Sequence, residues 1–219
     1  MSLIENFDYY YYIFFLLVSY GVYHLYDPVK IALDNNEKFK KYDIGKRYYI
    51  IKNFIKSALM AIIFIAMVFV FIPNILNGNW NDSHNRLIGV FYVSNDLAGL
   101  FAVPNLPKST RLHHYTTVFL FTLICAISTE DETIGRLIVI YTIYSCIPFM
   151  VNTYLGLRFF YTRGTELTDK QEKVNRIIDI NRIVAYYVYM ICCMCNWTYH
   201  IYFLFGKIRK LFFLRHFLH

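Results

Sequence analysis

Six apolar runs of roughly membrane length cover more than half of the chain. They are Tyr9–Tyr26, Phe54–Leu76, Leu87–Val103, Leu112–Ser128, Leu137–Phe160 and Ile183–Phe205. A helix needs about 20 largely apolar residues to cross the hydrocarbon core of a bilayer, and backbone in lipid must satisfy its own hydrogen bonds. The runs therefore predict an all-α polytopic membrane bundle of about six transmembrane helices. They exclude a disordered chain and an aqueous Rossmann or barrel enzyme.

The basic residues are concentrated in the first, third and fifth connections between these runs. They are Lys30, Lys38, Lys40, Lys41, Lys46, Arg47, Lys52 and Lys56, then Lys108 and Arg111, then Arg158, Arg163, Lys170, Lys173, Arg176 and Arg182. If the helices alternate in direction, these connections share one face, which the positive-inside rule places in the cytosol. The N-terminus is then lumenal or extracellular. Because the charge lies between spans, the net charge of +7 does not indicate a nucleic-acid partner.

The runs and charges predict four segments. Residues 1–26 form an N-terminal anchor span, 27–53 a basic cytosolic connection, 54–206 the main helix bundle and 207–219 a basic tail. No Lys or Arg precedes the first run, so we expect a retained anchor rather than a cleaved signal peptide. The basic tail conflicts with an even number of spans, which would end on the lumenal side.

Polar residues in the third and fourth runs are the candidate functional groups. Asp96 lies well inside an apolar run, and His113 and His114 open the next one. At 1.5 Å per residue, Asp96 should lie about 10 Å deeper in the bilayer than the histidines. A neutral His can take a proton from an amine or hydroxyl, and a carboxylate can orient it. Alternatively, the three side chains only cross-link two helices by hydrogen bonds.

We predict no metal site. Adjacent helical residues point about 100° apart, so one His should face a cavity and the other a neighbouring helix or the interface. The cysteine run at 192–195 lacks the spacing of a zinc site and a second cluster. The five cysteines all lie in apolar runs, where Cys commonly acts as a small hydrophobe.

The fifth run adds Pro148, Asn152 and Arg158. Pro148 should kink its helix, because proline removes one backbone hydrogen bond. Asn152 can form hydrogen bonds across helices. Arg158 lies at the predicted cytosolic end, where it can extend to the interface or meet an anionic lipid head group.

The order of these residues resembles the TLC-domain family of ceramide synthases and TLC-domain-containing proteins, and the smaller members most closely. The pattern is Tyr92-x-x-x-Asp96-Leu97, a short basic connection, Leu112-His113-His114, and then Pro148-Phe149-x-x-Asn152 followed by Arg158-Phe159-Phe160. It covers about Leu87–Phe160. Two departures are the absence of an acidic residue before Pro148 and of a further span at the C-terminus.

The resemblance implies membrane helices around a lipid-sized cavity, in the endoplasmic reticulum or a related membrane. It makes His113, His114 and Asp96 candidate catalytic residues, and we add Tyr92, Asn152 and Arg158 as candidate lipid contacts. Ceramide synthases join an acyl group from acyl-CoA to a sphingoid base, so acyl-CoA is a possible co-substrate here. We expect membrane lipids as partners and no resident cofactor.

Two functional hypotheses follow, with transport or channel roles as a further alternative. The first is a lipid-binding protein of lipid homeostasis or membrane composition, in which the polar residues hold a head group or only the bundle. The second is an acyl-CoA-dependent acyltransferase with His113 or His114 as general base. The missing acidic residue favours the first hypothesis, and the Asp96, His113 and His114 set keeps the second open.

Overall fold

The structure is a computed structural model that describes residues 7–130, 134–164 and 166–217, with side chains up to Arg209. Within these ranges it contains α-helices, one π-helical turn, one 3-10 turn and no strand. The α-helices are α1 Tyr9–His24, α2 Tyr26–Leu33, α3 Glu37–Lys40, α4 Ile44–Ala66, α5 Ile72–Leu76, α6 Asp82–Ala102, α7 Lys108–Ala126, α8 Ile134–Cys146, α9 Met150–Leu157 and α10 Asp169–Phe217. The all-α prediction is confirmed. Residues 1–6 of the predicted anchor, residues 218–219 and the tail side chains beyond Arg209 lie outside the described residues.

Fewer helices than the predicted six are long and apolar enough to cross a membrane. Among the described residues, Ile44–Leu76 and Asp169–Arg209 meet that requirement, and α8 with the segment Met150–Phe160 adds a third if the bent pair is one span. Helix α1 has only 16 residues, which is about 24 Å against the roughly 30 Å of a hydrocarbon core. Helices α6 and α7 carry polar residues such as Asp96, His114 and Thr117, and these lower their mean hydropathy.

Asp and Asn side chains fix the starts of several helices. Asp43 accepts a hydrogen bond from the Lys46 backbone N–H at 3.0 Å and begins α4. Asn81 accepts one from the His84 N–H at 3.0 Å and begins α6. Such caps satisfy backbone donors that have no partner within the helix. Helix α7 has no side-chain cap and begins directly after Pro107.

Two helices are interrupted where the sequence contains proline. The break between α8 and α9 contains Pro148, and the two helices meet at 47°, which confirms the predicted kink. Helix α4 passes through the π-helical turn Met67–Phe71 into α5, with Pro73 in the first turn of α5. Helix α10 is continuous through residue 207, at which the basic tail was expected to begin.

The connections gather at two opposite ends of the bundle. At one end the Asp8 carboxylate accepts a hydrogen bond from Arg86 at 2.7 Å, and the Asp8 N–H donates to the Cys125 carbonyl at 2.7 Å. At the other end Lys38 donates to the Tyr161 carbonyl. At the same end Gly45 lies close to Pro104, since a Cβ added to Gly45 would be 3.2 Å from the Pro104 carbonyl oxygen. The first, third and fifth connections therefore share one end of the bundle, as helix alternation predicts.

Helix α6 lies at the centre and packs against α1, α4, α7 and α8. One apolar core cluster contains the fully buried Phe15 and the nearly buried Phe121, whose ring centroids lie 4.8 Å apart. A second contains Ile51 and Ile55 of α4 with Ala98 of α6. The polar residues of the candidate site lie between these two apolar regions along α4 and α6.

Candidate functional site

Asp96 is fully buried at the centre of the bundle and has partners on two other helices. Lys56 Nζ on α4 lies 2.5 Å from Asp96 Oδ1, and Thr117 Oγ1 on α7 donates to Oδ2 at 2.9 Å. His114 Nδ1 lies 3.0 Å from Oδ1, although the contact is not aligned as a hydrogen bond. A buried carboxylate is stable only when it is paired in this way. We refer to Lys52, Lys56, Asp96, His114 and Thr117 together as the polar cluster.

His114 is held between a lysine and the carboxylate. Lys52 Nζ lies 3.2 Å from His114 Nε2. An ammonium group only donates, so with Lys52 protonated Nε2 accepts and a neutral His114 carries its proton on Nδ1, towards Asp96. With 1% of its surface exposed, His114 is enclosed by residues of its own chain. Its ring therefore holds the Lys52 amine and the Asp96 carboxylate in place on either side.

Lys52 and Lys56 are members of the site that the sequence analysis missed. In the sequence they fall among the basic residues of the predicted cytosolic face, whereas they are 3% and 6% exposed inside the bundle. The signal is their spacing: four residues apart on α4, they lie on one helix face together. Gly99 lets the Lys52 stem lie against α6, since a Cβ there would meet Lys52 Cδ at 3.0 Å.

Beside the polar cluster is a cavity of about 580 Å³ between α4 and helices α6 to α10. Three predicted site residues line it, namely Tyr92, His113 and Asn152. The other lining residues are Lys56, Met60, Tyr141, Tyr144, Ser145, Pro148, Val151, Tyr189, Cys192, Cys193, Asn196, Trp197, His200 and Leu204. Tyr189 and Trp197 are 49% and 67% exposed, so the cavity communicates with the outer surface of the bundle.

The two predicted lipid contacts in the cavity are both positioned by α4. The Tyr92 ring centroid lies 5.1 Å from Lys56 Nζ, within the range of a cation–π contact. The Asn152 amide donates to Met60 Sδ at 3.3 Å. Ser57 is hydrogen-bonded to Thr153, which holds α9 against α4 next to Asn152.

The adjacent histidines have different surroundings, as their angular separation predicts. His113 is exposed and lines the cavity, whereas His114 is buried in the polar cluster. Their ring centroids lie 5.6 Å apart. A bound molecule in the cavity could therefore reach the His113 imidazole directly.

The cluster has the spacing of a possible metal site. One ligand atom from each of Asp96, His113 and His114 lies within 4.8 Å of the others, so adjacency on the helix does not keep the histidines apart as we expected. However, Lys56 lies 2.5 Å from the carboxylate that such an ion would need. A cation bound there would have to displace the lysine or face its charge.

Arg158 lies outside the cavity. It lines a second pocket of about 630 Å³, together with Tyr154, Phe159, Tyr161, Arg163, Ile178, Asp179 and Arg182. Asp179 in that pocket forms an ion pair with Arg182 at 3.1 Å. The sequence grouped Arg158 with Asn152 because both are in one run, but the pocket of Arg158 belongs to the basic end of the bundle.

No protein-family model, no curated protein and no solved structure matches the chain. The TLC-domain resemblance and the functions it implies therefore stay predictions. What the described residues establish is a helical bundle with a charged interior, and a partly open cavity that reaches one of its lysines.

Proposed function

We propose that the chain is an integral membrane protein of TLC type that binds a membrane lipid in the cavity and serves lipid homeostasis or membrane composition. The observation that supports this most is the position of the cavity. It extends from Lys56 in the bundle interior to exposed aromatic residues of α10, such as Trp197. A lipid needs both a polar site for its head group and an apolar path for its chain.

The composition of the cavity wall supports a lipid as ligand. Ligand pockets of about 300–1,000 Å³ are typically lined by apolar and aromatic side chains with a few polar groups that fix orientation. This cavity, of about 580 Å³, has such a wall. Met60, Val151 and Leu204 offer apolar contacts, while Lys56 and His113 offer polar ones.

The proposal includes six membrane crossings with a lumenal N-terminus, in the endoplasmic reticulum or a related membrane. Helices α6 and α7 would cross with the help of neighbours that cover their polar positions, and the 16-residue α1 would cross where the bilayer thins locally. Single cysteines placed at Asn79 and Thr168 test the orientation by labelling with a membrane-impermeant maleimide in sealed microsomes, in a variant that lacks the native cysteines. Residue 168 should react from the cytosolic side and residue 79 only after the membrane is opened.

Lipid binding itself is tested by filling the cavity. Cys193→Trp places a large ring in the cavity, since Cys193 lines it. The neighbouring Met194 is 66% exposed and does not line the cavity, so Met194→Trp is the matched control. Mass spectrometry should find a lipid that co-purifies with the unmodified protein and the control but is lost from Cys193→Trp. Equal retention by all three would contradict binding in this cavity.

The position of His113 favours a second candidate, an acyl-CoA-dependent acyltransferase. In that reaction His113 accepts a proton from an acceptor amine or hydroxyl as it attacks the thioester carbonyl, and the CoA thiolate leaves. His114 is enclosed and would only support the cluster. Incubation with acyl-CoA and sphingoid or lysophospholipid acceptors should then give an amide or ester that is absent with His113→Ala. No product from folded protein would exclude this candidate for those substrates.

A further inference from the structure

The bundle interior contains more amine than carboxylate groups. Lys52 and Lys56 are both nearly buried, and Asp96 is the only buried acidic residue among those the structure describes. Asp96 lies 2.5 Å from Lys56. Lys52 instead contacts the neutral acceptor His114 Nε2 and the face of Tyr49, whose ring centroid is 5.4 Å from Nζ. With both amines protonated, the polar cluster carries an excess positive charge.

An excess charge in a membrane interior is costly, and ionisable residues there mark ligand or ion pathways. An apolar residue in place of Lys52, which has no carboxylate partner among the described residues, would avoid this cost while Lys56 and Asp96 stay paired. The two lysines together therefore indicate a bound group that offsets the charge. That group must be reachable from the surface, and Lys56 is the amine that satisfies this condition, because it lines the cavity.

The partners of Lys56 in the protein do not use all of its N–H donors. Its ammonium has three N–H donors, and Asp96 is its hydrogen-bond acceptor among the described residues. The Tyr92 ring covers one side at 5.1 Å. His113 lines the same cavity and also carries a ring N–H donor. The inner wall of the cavity thus presents donors and positive charge.

We propose that the cavity ligand carries an anionic head group, a carboxylate or phosphate on an apolar chain, and that Lys56 and His113 contact its oxygens. This inference rests on the proposed lipid-binding function and specifies the ligand class. Asp96 keeps Lys56 oriented, and Lys52 adds positive charge from behind His114. A ligand with an ammonium head group would meet two like charges and be disfavoured.

The test is a competition series in which only the head group changes. A neutral photoprobe, diazirine-bearing hexadecanol, labels the full-length protein in phosphatidylcholine nanodiscs. Hexadecanoate, hexadecyl phosphate, hexadecanol and hexadecylamine then compete at matched concentrations in the bilayer. We expect at least one of the two anions to compete at a concentration tenfold or more below hexadecanol, and the amine to compete least.

The outcomes separate this inference from the proposed function. Labelling that is no higher than that of Cys193→Trp would overturn both. Clear labelling with equal competition by all four compounds, or strongest competition by the amine, would overturn the anionic head group and leave lipid binding in place. Inorganic phosphate alone should compete poorly. If it matches hexadecyl phosphate, the site takes a free oxyanion and the lipid part of the inference is wrong.

Variants assign the effect to Lys56. Lys56→Met alone leaves Asp96 buried without its lysine and risks misfolding, so Lys56→Met is combined with Asp96→Asn. The double variant should keep labelling by the neutral probe and lose the tenfold preference for anions. Lys46→Gln on the same helix is the control, because Lys46 is 57% exposed and lies outside the cavity. A double variant that keeps the preference for anions would overturn the role of Lys56. If the double variant does not fold, the head-group series on the unmodified protein still decides whether the ligand is anionic.

Discussion

Lys56 Nζ and Asp96 Oδ1 lie 2.5 Å apart in the centre of the bundle and join α4 to α6. Their side chains are 7% and 0% exposed. Asp96 is enclosed by the bundle while Lys56 also lines the cavity, so the pair connects the packing of the helices to the cavity wall.

Breaking the pair from one side should be more harmful than removing both charges. Removal of one partner of a buried ion pair costs about 3–5 kcal/mol, because the other charge is left uncompensated. Lys56→Met should therefore lower the free energy of unfolding by about that amount, and Lys56→Met with Asp96→Asn by clearly less. Thermal unfolding of both variants in detergent checks this. A double variant that is less stable than the single one would contradict the importance of the pair.

Thr117 should stabilise the cluster through its hydroxyl. Thr117 Oγ1 donates to Asp96 Oδ2 at 2.9 Å, whereas the adjacent Thr116 is exposed and donates to the Leu112 carbonyl. Thr117→Val keeps the shape but leaves the carboxylate oxygen without that donor, at a cost of about 1–3 kcal/mol. Thr116→Val should have little effect on the melting temperature. Equal effects of the two substitutions would mean that the hydroxyl on Asp96 is unimportant.

The close approach of α6 and α7 depends on Gly89. A Cβ at this position would lie 2.7 Å from the Phe121 ring, whereas a Cβ at Gly21 would meet nothing within 4 Å. Overpacking of this kind typically costs about 1–3 kcal/mol. Gly89→Ala should thus lower the melting temperature. Gly21→Ala should leave it unchanged or raise it slightly, since Ala favours a helix over Gly.

Replacement of Arg158 should not change ligand binding in the cavity. Arg158 lines the separate pocket with Arg163 and Arg182. Arg158→Gln should leave photoprobe labelling and competition by hexadecanoate unchanged, while Cys193→Trp abolishes labelling. A loss of labelling in Arg158→Gln comparable to that of Cys193→Trp would show that the two pockets form one site.

The helices could be located from the sequence because apolar runs and prolines determine the local backbone conformation. Each of the six runs falls largely on helical residues, and the bend at Pro148 is present. The number of helices apolar enough to cross a membrane was predicted less well. Polar residues in α6 and α7 reduce the mean hydropathy of these helices, and only the structure shows which of those residues are buried inside the bundle. The grouping of three connections at one end followed correctly from helix alternation.

The candidate site was predicted in part. Asp96 and His114 stood out as polar residues in apolar runs, and the structure brings them together. Lys52 and Lys56 did not, because a lysine near the start of a span is usually a surface anchor and the sequence does not show which face of α4 is covered. Arg158 lies at the basic end of the bundle, as the sequence placed it, but its pocket is separate from the cavity, because residues of one run can line different pockets.

The most direct test of the account is to map where the diazirine-bearing hexadecanol attaches. Peptide mass spectrometry after photolysis locates each modified residue. We predict that saturable labelling falls on cavity residues such as Tyr189 and Trp197, and that excess hexadecanol removes it. Labelling confined to exposed residues outside the cavity, such as Leu17 and Tyr187, without saturation would contradict lipid binding in the cavity.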